Sequence, residues 1–205
     1  GSRVNFDHGR WLLGTALVTW IRTNILNYIA LYFVGPIAPA VLRAIQTIFG
    51  PINLILVSME SFVPQILSRA YSSVGGGGLS SLIRKFTAIL FLGMMGYSLI
   101  VSIFASELLA NIYGEKYLGY ESIVWVIAIQ YLFVVFQTMN SIALRVLDET
   151  SKIFKVYLLE AFITIIPGLL LVYFFGLDGA VGWKLASSVL LAAMSYFIYL
   201  KRVGS

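Results

Sequence analysis

The chain has 205 residues, of which 60% are hydrophobic and 11% charged, whereas an ordinary soluble domain carries about a quarter charged residues. With a mean hydropathy of +0.91, that composition excludes a water-soluble globular fold and points to an all-α, polytopic transmembrane bundle of about six spans. The absence of cysteine excludes disulfide frameworks and thiolate sites, and a single histidine, His8, excludes a two-histidine metal site within one chain.

In chain order, the first apolar segment runs from about Gly9 to Val34 and stops at Gly35-Pro36-Ile37-Ala38-Pro39, a helix break. The second, about 40–67, contains Pro51 and Pro64 and is expected to kink. Residues 72–81, with four consecutive glycines, read as a flexible Gly/Ser linker. No Gly-Lys-Ser/Thr follows them, which excludes a phosphate-binding loop. The remaining spans are placed at about 82–110, 121–147, 153–175 and 180–200. Phe86–Ala105 and Ser122–Leu144 contain no charge, and each is long enough as helix to cross about 30 Å of hydrocarbon. Asp148-Glu149-Thr150-Ser151 supplies N-cap residues for the fifth span, and Gly176-Leu177-Asp178-Gly179 a tight turn after it.

The terminal Gly-Ser pairs resemble cloning scars, so an excised piece of a longer chain is expected. With the N-terminus inside, Arg3, Arg10, Arg69, Arg84, Lys85, Arg145, Lys152, Lys155, Lys201 and Arg202 fall on the inner side, ten cations against three outside, Arg43, Lys116 and Lys184. The positive-inside rule then puts both termini in the cytoplasm. The net charge of +5 follows from topology and anionic membrane lipid, with no nucleic-acid partner required. Tyr113, Tyr117, Tyr120, Trp125, Trp183, Tyr196 and Tyr199 near the span ends read as interfacial anchors.

Polar side chains at membrane depth are costly and tend to face a bundle interior or a wet cavity. Thr15, Thr19, Thr23 and Asn27 form a stripe on the first span, with Arg22 beside it. Arg43, Gln46, Asn53 and Glu60 stripe the second; Gln130, Gln137 and Ser141 the fourth, with Asn140 adjoining; Glu160 and Thr164 lie on the fifth. The candidate substrate pathway is therefore Arg22, Asn27, Arg43, Gln46, Asn53, Glu60, Gln130, Gln137, Asn140 and Glu160. The guanidinium groups suit a phosphate or pyrophosphate. The bland alternative is that these groups only glue helices together, Arg22 with Glu60 or Glu160 for example. The third span, with only Ser98 and Ser102 near its middle, is expected to pack toward lipid. No catalytic residue, metal or cofactor is indicated.

Gly9-Arg10-Trp11-Leu12-Leu13-Gly14, the Val34-Gly35-Pro36 break, Phe62–Arg69, Ile112-Tyr113-Gly114-Glu115-Lys116-Tyr117 and Phe175–Gly182 occur here in sequence. In order and spacing they resemble the second six-helix half of polysaccharide or O-antigen flippases of the Wzx type, within the multidrug/oligosaccharidyl-lipid/polysaccharide exporter superfamily. The chain departs from that pattern after Gly35, where it has Ile37-Ala38-Pro39-Ala40. The resemblance implies one lobe of a transporter in a bacterial or archaeal cytoplasmic membrane that flips a lipid-linked oligosaccharide by alternating access. Its implied partners are membrane lipid, a lipid-linked sugar, and a missing N-terminal lobe or a second copy. Arg22 and Arg43 become candidates for the substrate's pyrophosphate on residue chemistry alone. The alternatives are a drug or small-solute antiporter lobe using Glu60 or Glu160, a membrane-embedded transferase, and an isolated domain without activity.

Overall fold

The computed structural model describes residues 24–203 together with Gly14, Leu17, Val18, Trp20 and Ile21; Arg22, Thr15, Thr19 and Thr23 lie outside the described residues. Those described are almost entirely helical, with no strand among them. The helices are α1 (Asn24–Val34), α2 (Ile37–Ile48), α3 (Gly50–Val74), α4 (Gly76–Ile103), α5 (Ala105–Tyr113), α6 (Glu121–Val146) and α7 (Thr150–Val203), with a 3₁₀ turn at Glu115–Tyr117. Among the described residues, α3, α4, α6 and α7 are long and apolar enough to cross a membrane, which marks an integral membrane protein.

The breaks between helices follow from local chemistry. Gly35 ends α1 at φ +97°, a region that only glycine enters without steric cost, and Pro36 then opens α2. Phe49 interrupts the next stretch, and Gly50-Pro51 starts α3, with proline in the first turn where its missing N–H is harmless. The kink expected in the second span falls at Phe49 (φ −81°, ψ 3°), through which hydrogen bonds from Phe49 N–H to Ile45 O and from Asn53 N–H to Phe49 O still run, while Pro64 stays inside α3. Helix α6 ends in a Schellman turn: the Glu149 N–H donates to Leu144 O at 2.9 Å and the Asp148 N–H to Arg145 O at 3.1 Å, with Asp148 at φ +59°.

Helix α7 is a hairpin. Gly176 adopts φ +57° and ψ −130°, and the chain reverses there. Arg202 Nε lies 3.3 Å from Glu149 Oε1, and a Cβ on Gly168 would sit 3.3 Å from the Trp183 ring; both pairs are equidistant from residues 175 and 176. At the bend, a Cβ on Gly179 would collide with the Leu171 carbonyl oxygen, so only glycine lets the two arms, 150–175 and 177–203, approach this closely. The first helix runs parallel to the first arm. Gly14 faces the Phe154 ring, Leu26 faces Gly168, and Val34 faces Gly176, a nearly constant offset along the chain.

The expected Gly/Ser linker over 72–81 does not exist as a linker. Residues 72–74 complete α3, Gly75 alone leaves the helical region (φ +73°, ψ −155°), and Gly76–Ser81 open α4. Glycine in a helix costs about 1 kcal/mol relative to alanine. Here fully buried Leu79 and nearly buried Ile83 offset that cost, as does a 2.8 Å bond from Tyr199 OH to Ser80 Oγ. A Cβ on Gly78 would lie 2.9 Å from Val74 Cβ and 3.1 Å from Ala70 O, so the missing side chain is what allows the tight α3–α4 turn. The span placed at 82–110 accordingly shifts to 76–103, and Ala105–Tyr113 forms the separate α5.

The turns at Gly75 and Asp148 and the end of α7 gather at one end of the bundle, tied by Tyr199 to Ser80 and by Arg202 to Glu149. Arg69, Arg84, Lys85, Arg145, Lys152, Lys155, Lys201 and Arg202 all lie close in sequence to these three points. Trp183 and Tyr199 do not behave as surface anchors. The indole packs over Gly168, and Tyr199 is 6% exposed.

Candidate functional site

Two apolar clusters fill the bundle, one toward each end. The first holds Leu26, Ala30, Val41, Ile45, Phe49, Leu56, Met94, Val101, Tyr131, Val135, Val172 and Val181. The second holds Val63, Leu67, Leu79, Ile83, Met139, Leu144, Tyr157, Leu191 and Tyr199. On α3, α6 and both arms of α7, polar residues occupy the gap between the clusters: Glu60 between Leu56 and Val63, Gln137 between Val135 and Met139, Glu160 and Thr164 between Tyr157 and Val172, and Lys184, Ser187 and Ser188 between Val181 and Leu191. The result is a polar belt across the middle of an apolar bundle.

A cavity of about 830 Å³ opens on this belt and extends along the first cluster. Of the pathway residues expected from sequence, Asn27, Arg43, Gln46, Asn53, Glu60, Gln130, Gln137 and Glu160 all line it. Asn140 does not; it is 6% exposed and packed inside the bundle, because it sits beside the Gln130–Gln137 stripe and not on it. Arg22 lies outside the described residues.

Some of these groups are satisfied within the protein, as the glue alternative required. Asn53 Nδ2 donates to Tyr131 OH at 2.8 Å, and Tyr131 stacks on Phe49 with centroids 5.0 Å apart. Gln137 Nε2 donates to Tyr157 OH at 3.4 Å, and Ser141 Oγ meets the same hydroxyl at 3.1 Å, joining α6 to the first arm of α7. Glu60 pairs with Arg145 at 3.2 Å, across α3 and α6; this pair is partly exposed, so its contribution to stability is small. Thr164 Oγ1 donates to Glu160 Oε1 at 3.1 Å.

Other groups line the cavity without a partner among the described residues. Among the described residues, no carboxylate lies within 4.0 Å of the Arg43 guanidinium or the Lys184 ammonium. The side chains of Gln46 and Gln130 make no hydrogen bond to a described residue, and Asn27 Oδ1 is buried without a donor. An unpaired charge or amide at this depth is stable only when water or a ligand solvates it. Such a cavity can accept an anion on two cations and neutral hydrogen-bonding groups on the amides. Among the described residues, no group of three or more His, Asp or Glu gathers that could hold a metal ion.

Sequence reasoning missed Lys184, Ser187, Ser188, Arg145, Tyr131 and Tyr157, all of which line the cavity. Lys184 was counted as an outer-loop cation because the last span was started at 180; the second arm of α7 begins earlier, and Lys184 lies two turns inside it. The signal was the Lys184-x-x-Ser187-Ser188 spacing, which puts all three on one helix face.

No family model, no curated protein and no solved structure matches this chain.

Proposed function

We propose that the chain is one lobe of a membrane transporter that flips a lipid-linked oligosaccharide by alternating access. The observation that carries this reading is the cavity of about 830 Å³ in the middle of an apolar bundle, lined by Arg43 and Lys184 with no acidic partner among the described residues. Lys184, half-buried at this depth, attracts a phosphate or pyrophosphate more strongly than it would in water, and the more exposed Arg43 guanidinium offers a forked donor to the same group. The motif resemblance to Wzx-type flippases supports the same substrate class.

In this reading the crossings number six: α1 with the described residues before it, α2 with α3, α4 with α5, α6, and the two arms of α7. The basic end faces the cytoplasm, in keeping with the positive-inside rule. The charged headgroup and sugars pass through the cavity while the lipid tail stays in the bilayer. A further lobe or a second copy completes the path.

Binding of a fluorescent polyprenyl pyrophosphate to the purified chain in nanodiscs tests the proposal. Loss of one charge-assisted contact is expected to weaken binding about ten-fold or more in Lys184→Ala and in Arg43→Ala. Absence of binding by the parent chain, or unchanged affinity in both variants, sinks the proposal.

A further inference from the structure

Besides Arg43 and Lys184, the cavity carries Arg145, and that cation is already occupied. Its guanidinium meets the Glu60 carboxylate, and both side chains line the cavity. Arg145 is also far from the other two cations. Ser141, one turn before it on α6, meets the Tyr157 hydroxyl. Lys184 follows Trp183, whose ring packs over Gly168, about ten residues along the arm from Tyr157, or about 15 Å as helix. Arg43 lies beyond Phe49, whose ring stacks on Tyr131, about ten residues before Ser141 on α6, again about 15 Å. A pyrophosphate held on Lys184 or Arg43 therefore does not reach Arg145, which stands next to the Asp148 turn at the basic end.

The Glu60–Arg145 contact is loose. A well-matched guanidinium and carboxylate form two parallel bonds of about 2.7–2.9 Å, whereas here one bond is made, at 3.2 Å, between side chains 33% and 43% exposed. Among the described residues the Arg145 side chain makes no other hydrogen bond, so most of its donors remain available to a ligand. Nor do α3 and α6 depend on this pair to stay together. Asn53 on α3 is bonded to Tyr131 on α6, and Val63 and Leu67 share an apolar cluster with Met139 and Ile142. A phosphate carries more charge than a carboxylate and matches the guanidinium fork, so it can take the place of Glu60 without loosening the bundle. The carboxylate in turn competes for Arg145, which keeps binding weak enough for release, as any permeation path requires.

We propose that Arg145 is a second anion station, at the basic end of the cavity, where the Glu60 carboxylate is an internal stand-in that an arriving phosphate or pyrophosphate displaces. The exchange follows from the pair itself; that the anion is a lipid headgroup rests on the flippase-lobe reading.

The test measures binding of a fluorescent polyprenyl pyrophosphate and, separately, of inorganic pyrophosphate to the chain in nanodiscs. The Lys184→Ala background is used so that the distant station does not mask this one. There, Glu60→Gln is expected to bind about five-fold more tightly, the factor by which a partly exposed ion pair withholds its cation. Such a gain is not something misfolding can mimic. Glu60→Asp keeps the charge but draws the carboxylate back by one methylene, and is expected to show part of the gain. Adding Arg145→Gln to Glu60→Gln is expected to abolish it. Unchanged or weaker binding in Glu60→Gln overturns the station, and the flippase-lobe reading then stands on binding by the parent chain. A gain that Glu60→Asp lacks, or that survives Arg145→Gln, also overturns it, because Glu60 then acts through its field and not through Arg145. Binding and gain confined to inorganic pyrophosphate support the exchange and overturn the lipid-linked reading. Failure of the parent chain to bind either ligand overturns both.

Discussion

Helix α4 and the α7 hairpin are almost equally apolar, with mean hydropathy of 2.0 and 2.2 in their most hydrophobic stretches, yet they do different work. At the level of the belt, α4 presents Phe86, Ala88, Ile89, Leu90, Phe91 and Leu92, with Thr87 the one hydroxyl among them. The α7 hairpin presents Glu160, Thr164, Lys184, Ser187 and Ser188 to the cavity. Only 22% of the apolar stretch of α4 is buried, and Leu92, Leu99 and Ile103 stand exposed on its outer face. Hydropathy therefore reports the solvent of a helix, whereas the placement of a few polar groups reports its task.

That contrast can be broken from either side. The largest effect is expected at the hairpin bend, where a leucine at Gly179 must displace the Leu171 carbonyl. Gly179→Leu is expected to cost at least about 3 kcal/mol, the upper range for overpacking, read as loss of the folded fraction in a detergent-unfolding titration. A neutral result there would show that the two arms are not closely packed. Next comes Leu92→Asp, on the exposed face of α4 and near its middle. A central acid is expected to cost about 3 kcal/mol in an insertion assay, and insertion as efficient as that of the parent would mean that this face does not meet lipid. The smallest effect is expected at Ser98 and Ser102, whose buried hydroxyls have no partner among the described residues. Ser98→Ala and Ser102→Ala should each be neutral or stabilise by up to about 1 kcal/mol, measured as the apparent melting temperature. A loss of more than that would reveal polar work in α4 and erase the distinction from α7.

Much of the fold was readable because charge-free windows set the helices. Helix α6, expected at 121–147, spans Glu121–Val146. The glycine run misled because propensity is local, while the packing of Leu79 and Tyr199 that keeps Gly76–Gly78 helical comes from residues distant in sequence. Eight of the ten candidate residues, picked out by helical periodicity, line the cavity; periodicity is a property of one helix. What periodicity does not carry is pairing between helices. Arg145 meets Glu60 across 85 positions, and the hydroxyls of Tyr131 and Tyr157 find Asn53 and Gln137 only once the helices are packed. Lys184 escaped through a boundary error of less than one turn.

The junctions at Gly75, Asp148 and Gly176 leave very few residues outside helix between successive long segments. Because the chain also reverses at each of them, the neighbouring segments lie antiparallel, and contacts so close in sequence form early. During synthesis the α3–α4 pair and the two arms of α7 would then partition into the bilayer as hairpins, never as single rods. Lys184 would travel in with an apolar partner arm already beside it, so the hairpin that later displays this charge to the cavity also carries it past the hydrocarbon.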